Sequence, residues 1–309
     1  MQGSSVACGE EETSIFSPTV TLTDIRFVYY WNGPLLMELI DRREDLLSTR
    51  ALSEELDKSL SFDPGIEDLS PAVAQMVFEN IPEEPGDVYT LLFPESLTWT
   101  REVLTTVAVR YTDGYDGFIG VLGQTSPWAP SLGQMAPKFV ALAWKGDTPV
   151  PVHVEAAPRR YFGEAKRKEL ERIFLDTHPD YRGTLKDVVE VFFKYPNKRG
   201  VLLDFWKEEG RGERSLFCLM EDAGAWIEVP FEDIYYAEGK GIVLQHNTDE
   251  APAEPQDVNL YVLPDLDRNG ASELLFVYDY FYSLCAIEPS NFSPGYVIRE
   301  VRTENFIVY

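Results

Sequence analysis

Five residues between Asp265 and Glu273 have the types and the spacing to hold a hard cation. Asp265, Asp267 and Asn269 place side-chain oxygens on alternate residues, Gly270 follows, and Glu273 closes the series. Ala271 adds a backbone carbonyl. Counted from Asp265, the side-chain oxygens fall at positions one, three, five and nine, with glycine at six. Calcium accepts about six to eight oxygens, so this set completed by water is sufficient, and the glycine permits the sharp turn that folds them round one point. An EF-hand requires a bidentate glutamate at position twelve, where this chain has Phe276. Only three carboxylates are present, so the affinity expected is that of extracellular modules, about 10⁻⁴–10⁻³ M. The competing reading is a polar hairpin turn in which Asp, Asn and Gly serve turn chemistry alone.

The flanks decide what carries this loop. An apolar run ends at Val262 and Leu263, and an apolar, aromatic run follows from Leu274 through Tyr278 to Tyr282. Both read as strands, with no helix on either side. The order strand, Asp265-x-Asp267-x-Asn269-Gly270-x-x-Glu273, strand resembles the Asp-x-Asp-x-Asp-Gly-x-x-Asp calcium loops of FG-GAP or VCBS repeats, as in integrin-like propeller blades. The likeness covers residues 257–283, with Asn269 for the third Asp and Glu273 for the last. It implies calcium bound for structural reasons, in a protein that works outside the cytoplasm.

Other chemistries find less to build on. The turn Tyr111-Thr-Asp113-Gly-Tyr-Asp116-Gly117 is acidic but lacks alternate-residue spacing, and reads as a plain hairpin turn. His153, His178 and His246 stand in no zinc or two-histidine iron spacing. There is no Gly-x-Ser-x-Gly elbow, no dinucleotide-type Gly-x-Gly-x-x-Gly after a strand and no phosphate-binding Gly-x-x-x-x-Gly-Lys. Paired carboxylates stay open, because 52 acidic residues supply many chance pairs. Tyr278, Tyr280, Phe281 and Tyr282 suggest either a sugar platform or, by strand alternation, core and cross-strand packing; the second is preferred. Residues 125–137 read as an exposed loop whose Trp128 folds back on the core. Cys218 and Cys285, in apolar strand-like runs, read as buried free thiols, with a disulfide as the alternative if their strands adjoin.

The bulk figures set the class. At 309 residues with 44% hydrophobic residues, the chain can bury a sizeable core. Its net charge of −25 repels phosphate backbones and excludes nucleic acid as a partner, while favouring divalent cations. No apolar run reaches the ~18 residues of a membrane-spanning helix. Ser5-Val6-Ala7-Cys8 resembles the tail of a bacterial lipoprotein signal, with serine where an aliphatic residue is usual. That implies a lipid anchor at Cys8, against the alternative of an incidental thiol in a polar tail. Residues 1–15 read as a flexible acidic leader.

Residues 15–30 carry a β-branched and aromatic bias and read as extended. Helix is expected over residues 35–47, where Leu35, Leu36, Leu39, Ile40, Leu46 and Leu47 recur at helical spacing. A short helical stretch starts at Ser53, and another runs from the Ser70 cap and Pro71 to Phe78. Strands follow over residues 88–93, 102–111, 117–122, 139–144 and 150–155, then a helix over 163–175 ended by His178-Pro179. From Val188 the chain is strand after strand with short Gly-containing turns, including a last pair at 296–301 and 305–308. The expected fold class is α+β: a helical or mixed domain over residues 16–160, then a predominantly antiparallel β domain over 161–309 that carries the loop. The function expected is that of an extracytoplasmic, calcium-stabilised binding or surface-interaction protein with an unidentified protein or glycan partner and no catalysis. The alternatives are a carboxylate-based hydrolase of glycans or an envelope polymer, and a structural subunit without ligand.

Overall fold

In the computed structural model the described residues are 20–30, 34–40, 65–112, 115–123, 138–146, 162–194, 197–207, 213–232, 237–238, 241–245, 259–278, 281–291 and 295–305. The acidic leader with Cys8, the stretch from Ser53, the Trp128 loop, the expected strand at 150–155, His153, His246 and Tyr280 lie outside them.

The amino-terminal half is a β-barrel. Its strands are β1 (Arg26–Tyr30), β2 (Leu35–Ile40), β3 (Gly65–Asp68), β4 (Val88–Phe93), β5 (Thr98–Thr112), β6 (Tyr115–Leu122) and β7 (Lys138–Lys145). They run in the order β3-β5-β4-β7-β1-β2-β6, and a further β5–β6 pairing closes six of them on themselves, every pair antiparallel. Closure removes the free edges a sheet of this size would otherwise expose. β5 and β6 pair as far as Thr112 and Tyr115, the hairpin that the Asp113-Gly114 turn suggests. The one helix described here is α1 (Pro71–Phe78), started by Pro71 with the Ser70 hydroxyl accepting from Val73 N–H. Its Val73, Ala74, Val77 and Phe78 pack on Val28, Met37, Leu91, Val107, Phe118 and Ala141.

The α+β expectation, with its helical amino-terminal region, is therefore overturned: the protein is β-rich, with two short helices among the described residues. The clearest reversal is Leu35–Ile40, expected as helix and found as strand β2, paired with β1 and β6. Leu36 enters one cluster while Met37 and Leu39 enter another, so both faces of the strand are covered. A strand buried on both faces reads as a continuous apolar run, and short runs of that kind also fit a helical period.

The carboxy-terminal half is two sheets. The first holds β8 (Thr184–Lys194), β9 (Lys198–Lys207), β10 (Glu213–Asp222), β13 (Ala237–Glu238) and β14 (Gly241–Gln245) in the order β13-β14-β10-β9-β8, with β11 (Ala225–Val229) also on β10. The second holds β12 (Phe231–Glu232), β15 (Asn259–Leu263), β16 (Glu273–Tyr278), β17 (Phe281–Pro289) and β18 (Tyr296–Asn305) in the order β12-β18-β17-β16-β15. The expected strand at 296–301 runs on to Asn305, because β18 pairs β17 along its whole length across a bulge at Leu284/Cys285; the expected strand at 305–308 lies, after Asn305, outside the described residues.

Side-chain alternation then stacks the layers. Helix α2 (Glu164–Thr177) sets Leu170 and Phe174 on Val188, Leu203, Phe205 and Phe217 of the first sheet. His178 caps that helix, stacks on Phe174 and shares a hydrogen bond with Glu228, which gives it a structural place. The sheet's other face meets Leu274, Phe276, Cys285 and Ile287 of the second sheet. That second sheet turns Leu275, Tyr282, Leu284 and Ala286 to the barrel, where Tyr282 packs on Phe27, Tyr29 and Phe139. Tyr282 is thus core. Cys218 and Cys285 are both buried and both free, in the same cluster between the sheets.

Candidate metal centre

The loop sits where these layers meet. β15 and β16 are antiparallel, with Leu263 and Glu273 as their last pair, so residues 264–272 are thrown out as one turn. Two backbone conformations make the turn possible: Arg268 at φ 63° and Gly270 at φ 88°, both left-handed. Glycine adopts that region freely, whereas arginine carries a steric cost there. Leu266 is wholly buried in the cluster against the barrel, and Ala271 lies in the cluster between the two sheets. Leu266 and Ala271 thus anchor this nine-residue polar loop in two apolar cores.

Within it, Asp265, Asp267 and Glu273 converge, one oxygen of each lying within 4.8 Å of the others. Asp265 and Glu273 are buried and Asp267 is half-buried. Each carboxylate is held from one side by the backbone. The Gly270 N–H donates to Asp265 Oδ2 at 2.8 Å, the Leu266 N–H to Glu273 Oε2 at 2.9 Å, and the Asn269 N–H to Asp267 Oδ1 at 3.0 Å. The remaining oxygens of the two buried groups, Asp265 Oδ1 and Glu273 Oε1, have no hydrogen-bond partner. A buried acceptor left bare is costly, and this cluster holds two.

Electrostatics follow from this crowding. Burial pushes the Glu273 carboxyl well above its ordinary range, and the neighbouring charges of Asp267 and Asp265 push the same way against the Leu266 N–H. Burial also raises Asp265, again opposed by the Gly270 N–H and reinforced by Asp267. A cation would reverse both effects, because it favours the ionised form of everything that touches it.

Of the five residues the spacing singled out, three form the cluster. Asn269 is used differently: its side-chain oxygen accepts from the Ala271 N–H at 2.7 Å, while its amide donates to Asp267 Oδ2 and the Ile287 carbonyl. It braces the turn and fixes Asp267. Ala271 is buried, with its N–H engaged by Asn269. The linear pattern missed Ser272. Its N–H donates to the Phe192 carbonyl at 2.9 Å, and its hydroxyl accepts from the Phe192 N–H at 3.2 Å, tying the loop to β8 of the other sheet. A partner 80 residues away leaves no trace in local spacing.

No family model, curated protein or solved structure matches the chain. The geometry of the loop is therefore what bears on function. Among the described residues no helix is long and apolar enough to cross a membrane.

Proposed function

We propose that the Asp265–Glu273 loop is a structural calcium site of the FG-GAP or VCBS kind, in a protein that binds a protein or glycan partner outside the cytoplasm. One observation carries the site: two buried carboxylate oxygens, Asp265 Oδ1 and Glu273 Oε1, lack partners beside a third carboxylate. A divalent cation with oxygen preference satisfies both at once, and the donor set contains no sulfur or imidazole that would favour zinc or copper. Asp265, Asp267 and Glu273 would hold the ion, with the Ala271 carbonyl and water as further oxygens. Calcium would supply charge neutralisation and cross-linking of the loop. The adjoining strands β15 and β16 contribute to both neighbouring cores, which supports a structural role for the ion.

Location follows from affinity. Three carboxylates give binding of about 10⁻⁴–10⁻³ M, which calcium saturates outside cells and not in the cytosol. The net charge of −25 suits a surface bathed in cations. The test is calorimetric titration of calcium into the EGTA-treated full-length chain, with magnesium as the control. The expected result is one site in that range with calcium favoured. Absence of both binding heat and thermal stabilisation at about tenfold the upper Kd would remove the proposal.

A further inference from the structure

The two carboxy-terminal sheets are joined differently at their two edges. At one, the chain itself crosses: β11 on the first sheet continues through Pro230 into β12, which pairs in parallel with β18 of the second. The Ile298 N–H donates to the Pro230 carbonyl at 3.0 Å, and Phe231 packs edge-on to Phe276. At the other, β8 lies alongside β15, with no crossing strand between them among the described residues. There the described hydrogen bonds are the reciprocal pair between Ser272 and Phe192, with Ser272 wholly buried.

Ser272 precedes Glu273 directly, and Ala271 before it is fixed by the Asn269 side chain that also grips Asp267. Any shift of the carboxylate cluster therefore moves the backbone that holds β8. Without a cation, Asp265 and Glu273 each keep a buried oxygen with no hydrogen-bond partner within one cluster. The turn is the part that can yield, because the strands on either side are paired and packed.

Resting on the calcium reading of this loop, we infer that the ion works as a latch between the sheets: its binding at Asp265, Asp267 and Glu273 holds Ser272 against Phe192 and keeps the β8 edge docked. The β11–β12 crossover is the hinge. Calcium loss frees the β8 edge before the molecule unfolds as a whole, exposing strand backbone and the apolar residues behind it. Depletion of calcium thus becomes a signal that loosens one defined edge.

Amide hydrogen exchange on the full-length chain, in calcium chloride and in EGTA, tests this. If opening the edge releases the ion, the exchange rate at Phe192 falls by the factor 1 + [Ca]/Kd, about tenfold at calcium ten times Kd. In EGTA, Phe192 should exchange faster than Leu203 in the middle of the same sheet. Ser272→Ala, which leaves the three carboxylates in place, should bring Phe192 exchange in calcium close to its rate in EGTA. Calcium that binds but protects only the Leu266 and Gly270 amides, with Phe192 unchanged, would overturn the latch and leave the site standing. Phe192 exchanging no faster than Leu203 in EGTA overturns it as well, since the edge then does not open alone. No calcium binding at all removes the site and the latch together.

Discussion

Replacing Glu273 by glutamine separates the two consequences of a buried, half-satisfied carboxylate. In calcium-free buffer Glu273→Gln should stabilise the protein. Glutamine keeps an acceptor for the Leu266 N–H, removes a charge from a fully buried position, and adds an N–H beside the Asp265 carboxylate, whose clustered oxygen lies within 4.8 Å. Relief of an unsatisfied buried polar group is worth about 1–3 kcal/mol. An unfolding entropy of about 2.1 cal/mol/K per residue, over 309 residues, makes each kcal/mol worth about 1.5 °C. The melting temperature in EGTA should therefore rise by about 2–5 °C.

Calcium should reverse the order. At about 5 mM, an ion held at about 10⁻⁴–10⁻³ M stabilises the wild type by about 1–2.3 kcal/mol, or about 2–4 °C. The variant, with one anionic ligand of three gone, should lose most of that gain. Differential scanning calorimetry of both proteins in both buffers gives the four melting temperatures needed. A variant less stable than wild type in EGTA would refute the reasoning, because Glu273 would then have a partner of greater worth than the charge it buries. An undiminished calcium increment in the variant would place the cation elsewhere.

The same carboxylates set a pH dependence. Asp265 and Glu273 have folded pKa values above their ordinary ones, so the folded state holds more protons, and the stability they contribute is present at low pH and lost as pH rises through the raised values. In EGTA the stability advantage of Glu273→Gln should shrink as pH falls through the raised values, and a gap that does not change with pH would contradict this. Asp204 and Arg214 form a two-pronged pair at 2.6 and 2.8 Å, most of it out of solvent, although burial still raises the Asp204 pKa. Asp204→Ala should cost about 3 kcal/mol, lowering the melting temperature by about 5 °C, and Asp204→Leu with Arg214→Met should recover most of it. Burial pushes the Cys285 thiol up to about 12 and raises Cys218 as well, so iodoacetamide should modify neither in the native protein and both in denaturant, read by peptide mass.

Which parts of this protein were legible in its sequence follows from how each part is buried. The elements of the carboxy-terminal half were, since short glycine turns separate runs of β-branched and aromatic residues, and the 14-residue helix α2 ends where His178-Pro179 marks its end. The alternating carboxylates were legible because the three groups of the cluster lie within one turn and need no tertiary information to be brought together. The amino-terminal barrel was not. Barrel closure depends on long-range pairings, β2 with β6 and β7 with β1 and β4, and on strands covered on both faces, and neither leaves the alternation that marks a half-buried strand.

The loop itself divides the same way. Asp265, Asp267 and Glu273 announce a turn that can hold an ion, but Leu266 and Ala271 look like fillers in the pattern and Ser272 like a linker. In the structure those three connect the turn to the barrel, to the space between the sheets, and to β8. Spacing along a chain can say that oxygens converge. It cannot say what the converged point is fastened to, because that is set by partners such as Phe192, 80 residues away. The consequence for a calcium site is general: its affinity is written in the local residues, while the effect of filling it is written in the contacts of the residues between the ligands. Here those contacts reach the barrel, the space between the sheets and β8, so an ion held at the proposed site should act on all three.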